Sequence, residues 1–397
     1  MTPRSGRSKR QERPGPRPRR LAALPLAVLV VGLTACSGTG PQSSLEPQGP
    51  ISRDIDGLWE FVLAAAVVVF VLVMTVYVIS LIRFRERKND TRRPRQVHGN
   101  TKLEIMWTIA PAVLLVVLTV PTLRGLFDIR TVPTGDDVLQ VKVTGHQWWW
   151  EFEYPDLGAA DGRTLITASE LHIPAGRPVN LTMTSADVIH SFWVPPLNGK
   201  RDIVPGRLSN LTLIADADQA TVDNGFGEGV ILGQCAEFCG LAHADMRLRV
   251  FVHDEAGFQV WAEDQLAPAV VPTAEPSAAG FATFTQVCTA CHQATVEQPD
   301  GTVETVGLEH FIESRGTRFR SSYAPNLTHF GSRTTLGGAS LANVADHLRQ
   351  WLANPSALKP MDPDRNDLAN ARILGMPNFG LSDEEIEGLV AMLEGWK

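Results

Sequence analysis

The sequence predicts a multidomain chain: a two-helix transmembrane hairpin, then a β-sandwich, then a small all-α domain. Three observations predict it. Two apolar stretches, Leu58–Ile82 and Ile105–Leu123, each reach the roughly 20 residues that cross a bilayer. Between Val138 and Val252, short β-type runs alternate with Gly, Pro and Asp, as in a sandwich. Beyond a Pro/Ala-rich stretch, the amphipathic run Asp383–Leu393 forms a closing helix. A length of 397 residues accommodates two or three such domains. With 44% hydrophobic and 20% charged residues, the chain is neither disordered nor membrane-embedded throughout.

The N-terminus places an Arg-rich segment (Arg4 to Arg20) before the apolar run Leu21–Leu33 and the sequence Leu33-Thr34-Ala35-Cys36. That order is expected of a secretory signal over residues 1–35. Its ending resembles a bacterial lipoprotein cleavage site, which implies cleavage before Cys36 and a lipid anchor on it. Residues 36–57 are expected as a tether and 58–127 as the hairpin. Between the apolar stretches, Arg83, Arg85, Arg87, Lys88, Arg92, Arg93, Arg95 and Lys102 face only Glu86 and Asp90. The positive-inside rule sets this loop in the cytoplasm and everything after about Phe127 outside, in a bacterial cell membrane crossed twice. Glu104 lies at the cytoplasmic mouth of the second span, either as a snorkelling end residue or as part of a proton path.

The formal net charge of −7 hides an asymmetry: residues 1–102 carry +10 and residues 103–397 carry −17. Phosphate binding needs clustered cations, so nucleic acid is excluded as a partner of the acidic part. A cationic partner suits such a field.

Residues 137–262 form the expected sandwich, with seven runs such as Trp148–Tyr154 and Arg247–Val252. Near its end stand Cys235, Cys239, His243 and Met246, with His190 at the end of an earlier strand. Two thiolates, two imidazoles and a thioether are a soft set that suits copper better than Mg²⁺ or Ca²⁺. A second thiolate four positions from the first allows two copper ions to share the pair. Zinc on Cys₂His₂ would leave Met246 without a purpose, and a disulfide would leave both histidines and Met246 without one.

The run Cys235-x-Glu237-x-Cys239-Gly240-x-x-His243-x-x-Met246 closely resembles the dinuclear copper motif of cytochrome c oxidase subunit II. Asp187-Val188-Ile189-His190, Gly145-His146-Gln147-Trp148-Trp149-Trp150 and Glu104-Ile105-Met106-Trp107 are similar to other segments of that family. The resemblance implies a cupredoxin-like sandwich in which Cys235 and Cys239 bridge two coppers and His190 and His243 bind one each. It implies Met246 as a weak ligand and the Glu237 carbonyl as another, with the Glu237 side chain facing a Mg²⁺ shared with subunit I. Trp148 would admit electrons, and Glu104 would open a proton channel. Trp149, where the family usually has Tyr, is a departure.

After a linker at 263–279, residues 280–397 carry Cys288-Thr289-Ala290-Cys291-His292. Cys-x-x-Cys-His is the pattern of covalent haem c attachment: two thioethers hold the porphyrin and His292 reaches the iron. Of the downstream methionines, Met392 sits within the closing helix. Met376, in Met376-Pro377 on a loop before it, resembles the second axial ligand of class I cytochromes c and is preferred to Met361. Together these features predict the electron-input subunit of a haem–copper terminal oxidase. It would pass electrons from reduced cytochrome c or another donor to subunit I, beside subunit III, for O₂ reduction coupled to proton translocation. The chain itself offers no O₂ site. The rival reading is an electron-transfer subunit of a nitric-oxide or nitrous-oxide reductase.

Overall fold

The computed structural model describes residues 40–85, 96, 98–363 and 374–397, so the signal region, Cys36 and most of the basic loop lie outside the described residues. Helix α1 spans Pro50–Arg83 and α2 spans Thr101–Arg130. Pro50 opens α1, where its missing N–H costs nothing. Asn100 caps α2 by accepting from the Lys102 and Leu103 amides. Both helices are long and apolar enough to cross a membrane, and their apolar side chains are exposed along their length. The start of α1 is held to the sandwich: the Gln48 amide donates to Pro196, the Gln48 carbonyl accepts from Asp216, and Arg53 pairs with Asp216. The expected tether therefore contains an anchored segment.

Ten strands build two five-stranded sheets. In chain order they are β1 (Leu139–His146), β2 (Trp149–Gly158), β3 (Thr164–Ala168), β4 (Glu170–Pro174), β5 (Val179–Ser185), β6 (His190–Trp193), β7 (Arg201–Ile203), β8 (Ser209–Leu213), β9 (Val230–Cys235) and β10 (Arg247–His253). One sheet runs β3-β2-β1-β5-β8 and the other β4-β10-β9-β6-β7. Trp150, Phe152 and Tyr154 of β2 are fully buried between the sheets, with Phe192 set edge-on against Trp150 at 5.2 Å. Each such aromatic contributes about 1.5–3 kcal/mol by leaving water. The opposite face of β2, carrying Trp149 and Glu151, is buried too. A second domain covers it.

Helix α3 (Glu255–Leu266), capped by Asp254, closes the sandwich. Helices α4 (Ser277–Val287), α5 (Ala345–Ala353), α6 (Pro355–Leu358) and α7 (Asp383–Gly395) frame the C-terminal domain. Ser382 and Glu385 form a capping box that starts α7. Helices α4 and α7 cross at Gly280 and Gly388, where a Cβ on Gly280 would lie 2.0 Å from the Gly388 carbonyl oxygen. Only glycine permits that approach.

The helical core matches the expected cytochrome layout, but between α4 and α5 the described helical structure is limited to single turns at Cys288–Ala290 and Phe330–Ser332. Short ladders fill this segment: β12 (Ala294–Glu297) with β13 (Val303–Val306) and with β11 (Ala269–Val270), which precedes α4; β14 (Phe311–Ser314) with β15 (Thr317–Arg320); and β16 (Thr335–Leu336) with β17 (Leu341–Ala342). Runs of two to four residues fall below the window in which strand alternation can be read. Strand β11 lies within the expected linker, with Ala269 and Val271 buried in the C-terminal core.

Residues in and beside these ladders make several of the contacts between the domains. Glu170, 4% exposed on β4, accepts four hydrogen bonds of 2.7–3.0 Å from the amides and hydroxyls of Thr334 and Thr335. Glu151 accepts from the Ser322 amide and hydroxyl at 3.1 and 2.6 Å. Thr144 donates to the Arg320 carbonyl.

Candidate functional site

Strand β9 ends at Cys235, and the following loop returns through the short turn His243–Asp245 into β10. This loop and the start of β6 bring the soft side chains together. The Cys235 and Cys239 sulfurs are 3.9 Å apart, far beyond the roughly 2.05 Å of a disulfide, and both are free thiols. Cys235 Sγ lies 3.9 Å from His190 Nδ1; Cys239 Sγ lies 3.6 Å from His243 Nδ1 and 3.8 Å from Met246 Sδ. The Glu237 carbonyl is 3.3 Å from Cys235 Sγ, while its side chain is exposed. Donor atoms of His190, Cys235 and Cys239 all fall within 4.8 Å of one another, close enough to hold a metal ion.

The tautomer of His190 follows from its partner. Its Nε2 lies 2.8 Å from the Asp187 carboxylate, an acceptor, so Nε2 carries the proton and Nδ1 turns a lone pair toward the thiols. Burial opposes a charge on this imidazole, yet hydrogen bonds to Asp187 and Cys235 outweigh it and raise its pKa. The Cys235 thiol is pushed down to about 3, first by its hydrogen bond with Cys239, against burial. Cys239 is pushed up by the same bond and by burial. The pair thus holds one negative charge easily and a second only when a cation replaces the remaining proton.

A cavity with about 1300 Å³ of empty space, open solvent at its mouth included, lies between the C-terminal domain and residues Gln147, Trp148, Trp149, Ala168 and Ser169 of the sandwich. Cys288, Cys291, His292, Met376, Met361 and Trp351 are among the residues that line it. The His292 Nδ1 donates to the Pro325 carbonyl at 2.7 Å, which leaves the Nε2 lone pair free. Burial lowers the His292 pKa to about 4, so the ring is a neutral donor at pH 7. Met376 packs on the C-terminal core and accepts from Trp351 Nε1 at 3.2 Å, whereas Met361 packs on the sandwich core. An apolar slot with two thiols and an imidazole fits a covalently held haem.

Trp148 joins the two places. Its side chain is 3% exposed, lines the slot, and donates through Nε1 to the Cys239 carbonyl at 2.9 Å. Gln147 Nε2 donates to the same oxygen at 2.7 Å. Glu104, by contrast, lies far along the chain in the first turn of α2, where its carboxylate accepts from the Asn100 amide.

The sequence reading passed over three buried charges: Glu151, Glu170 and Lys359. Glu151 and Glu170 sit on strand faces that alternation assigns to solvent, and the second domain buries them. Lys359 donates to the carbonyls of Trp148, Asp245 and Gly337 at 2.8, 3.0 and 2.7 Å, and burial lowers its pKa to about 7. A Lys-Pro pair beside a candidate methionine was the available signal, and a weak one.

Residues 43–124 match the family model of the cytochrome c oxidase subunit II transmembrane domain, and residues 156–252 match that of its periplasmic domain. Residues 277–396 match cytochrome c. The chain is 33% identical to cytochrome c oxidase subunit 2 of Alkalihalophilus pseudofirmus, over 94% of this chain and 96% of the relative. It is 30% identical to the subunit 2 of Bacillus subtilis, again over 94% and 96%. Among solved structures, it is similar to the periplasmic domain of cytochrome oxidase subunit II of Bradyrhizobium japonicum, with 31% identity and a TM-score of 0.28, over 34% of this chain and 95% of that one. Matched from hairpin to closing helix by relatives of the same length, the chain belongs to the cytochrome c oxidase subunit 2 family.

Proposed function

We propose that this chain is the electron-input subunit of a haem–copper terminal oxidase and that Trp148 links its two redox sites. As a member of the subunit 2 family it is part of an oxidoreductase, and its sandwich and C-terminal domain imply copper and haem c. When bound, these groups supply one-electron redox chemistry; the chain supplies their geometry. Cys235, Cys239, His190, His243, Met246 and the Glu237 carbonyl would be the donors that hold the copper. Asp187 fixes the His190 ring, so its ligand atom needs no reorientation. Cys288 and Cys291 would hold the haem covalently, and His292 and Met376 would be the side chains that reach its iron.

The observation that carries this reading is that one side chain, Trp148, both lines the slot and bonds to the thiol loop. The family also implies association with other oxidase subunits and with a donor of the cytochrome c type. We assign the neighbours as subunits I and III, with Glu237 offering its exposed carboxylate to a Mg²⁺ shared with subunit I. Glu104 stands at the mouth of a proton path into that subunit, so that electron input is coupled to proton translocation. The two apolar helices and the periplasmic domain make this a membrane protein with its C-terminal domains outside, and we assign a lipid anchor to Cys36.

The test is a metal and haem count on the purified chain. Two coppers and one covalent haem are expected, and Cys239→Ser should lower the copper content below one per chain while leaving the haem. A chain without copper would end this reading.

A further inference from the structure

We propose that Lys359 is a positioning residue: its ammonium fixes the haem-bearing domain against Trp148 and the copper loop. The proposal rests on the reading that electrons cross from the slot to the thiol pair, and it names what holds the crossing in register.

Lys359 follows helix α6 and is 2% exposed. Its three short contacts are all backbone carbonyls, each from a different segment. Trp148 belongs to the sandwich, Asp245 to the turn between His243 and Met246, and Gly337 to the C-terminal domain. An ammonium has three N–H groups and no acceptor, so this arrangement satisfies it completely. Burying such a charge costs several kcal/mol in desolvation, which an apolar side chain of similar volume would avoid. The ammonium does what an apolar side chain cannot: it ties three segments to one point.

The neighbouring backbone is shaped to the same end. Gly338 has φ +73, and a Cβ there would lie 2.4 Å from the Trp148 carbonyl oxygen and 2.7 Å from Lys359 Nζ. The Gly338 carbonyl also accepts from the Arg247 amide, the residue after Met246, at 3.0 Å. Trp148 is therefore held at both ends, its carbonyl by Lys359 and its indole N–H by Cys239. Lys359 reaches the Asp245 carbonyl, one residue before Met246, at 3.0 Å, so its charge sits beside the copper loop.

The experiment uses the assembled oxidase. An electron is placed on the C-terminal domain by rapid mixing with reductant, and its arrival is followed in the copper absorption band. Lys359→Met should slow arrival several-fold, because the transfer contact at Trp148 loses the positioning that holds it in register. Both absorption spectra should persist, and the copper midpoint potential should fall because a nearby cation is gone. Lys359→Arg keeps the charge but cannot gather three carbonyls on one nitrogen, so it should restore the potential without restoring the rate. If Lys359→Met fails to assemble, Gly338→Ala disturbs the same junction and should slow transfer alike. Rates within about twofold of wild type in the assembled variants would overturn the proposal. A wild-type chain with no transfer at all would overturn the electron path itself, and Lys359's part with it.

Discussion

The indole N–H of Trp148 donates to the carbonyl oxygen of Cys239 at 2.9 Å, while the same ring lines the slot that holds Cys288 and His292. One side chain thus touches the walls of both redox sites, and no rearrangement is needed to bring them together. Glu170 and Glu151 hold the domains in that register by accepting from Thr334, Thr335 and Ser322.

If electrons follow this contact, Trp148→Ala should slow transfer from haem to copper by at least about tenfold. Trp148→Phe keeps most of the ring and loses only the N–H, so its effect should be smaller. Gln147 still bonds the Cys239 carbonyl in both variants, so the copper spectrum should be unchanged. Equal transfer rates in wild type and Trp148→Ala, measured by rapid mixing, would remove Trp148 from the path.

Much of this arrangement was legible in the sequence because its chemistry is local. Cys235 to Met246 spans one loop, Cys288 to His292 one turn, and a hairpin is a matter of length and loop charge. Seven of the ten sandwich strands were also legible as β-type runs; the others, Thr164–Ala168, His190–Trp193 and Arg201–Ile203, are only three to five residues long. The junction was not legible. Glu151, Glu170 and Lys359 are each ordinary surface residues by type, and their partners across the junction lie 114 to 211 positions away. No periodicity records a contact that only the docked domains create.

The choice between the two methionines can be settled in the same way. Met376 packs with the C-terminal core around Cys288, and Met361 leans on the sandwich core, although both reach the slot. Met376→Ala should abolish the weak near-infrared band of a low-spin His–Met haem, while Met361→Ala should leave it. The reverse pattern would move the axial role to Met361. Because Trp351 donates to Met376 Sδ at 3.2 Å, Trp351→Phe should perturb the same band without abolishing it.

The final prediction concerns acid. His172 Nδ1 lies 2.8 Å from His253 Nε2, and His172 is stacked on Trp261 at 4.1 Å and on Phe251 at 4.6 Å. One ring nitrogen must donate and the other accept, so both imidazoles are satisfied when neutral. Burial, then repulsion from His253, puts the His172 pKa well below 6.5; burial also lowers that of His253, against the pull of Asp254. Below a pH of about 6.5 the unfolded chain therefore binds protons that the folded pair refuses. Stability is full above that pH and is lost as pH falls toward the folded pKa values, at about 1.4 kcal/mol for each unit of depression. Thermal midpoints of the detergent-solubilised chain should accordingly drop between about pH 6.5 and pH 5. His253→Gln keeps a hydrogen-bonding side chain there but cannot titrate, so its midpoint should fall less steeply over the same interval. The other buried histidines, His146, His190, His292 and His329 among them, contribute equally to both proteins and cancel in the comparison. An identical slope in wild type and variant would show that the stacked pair does not set the acid limit of the sandwich.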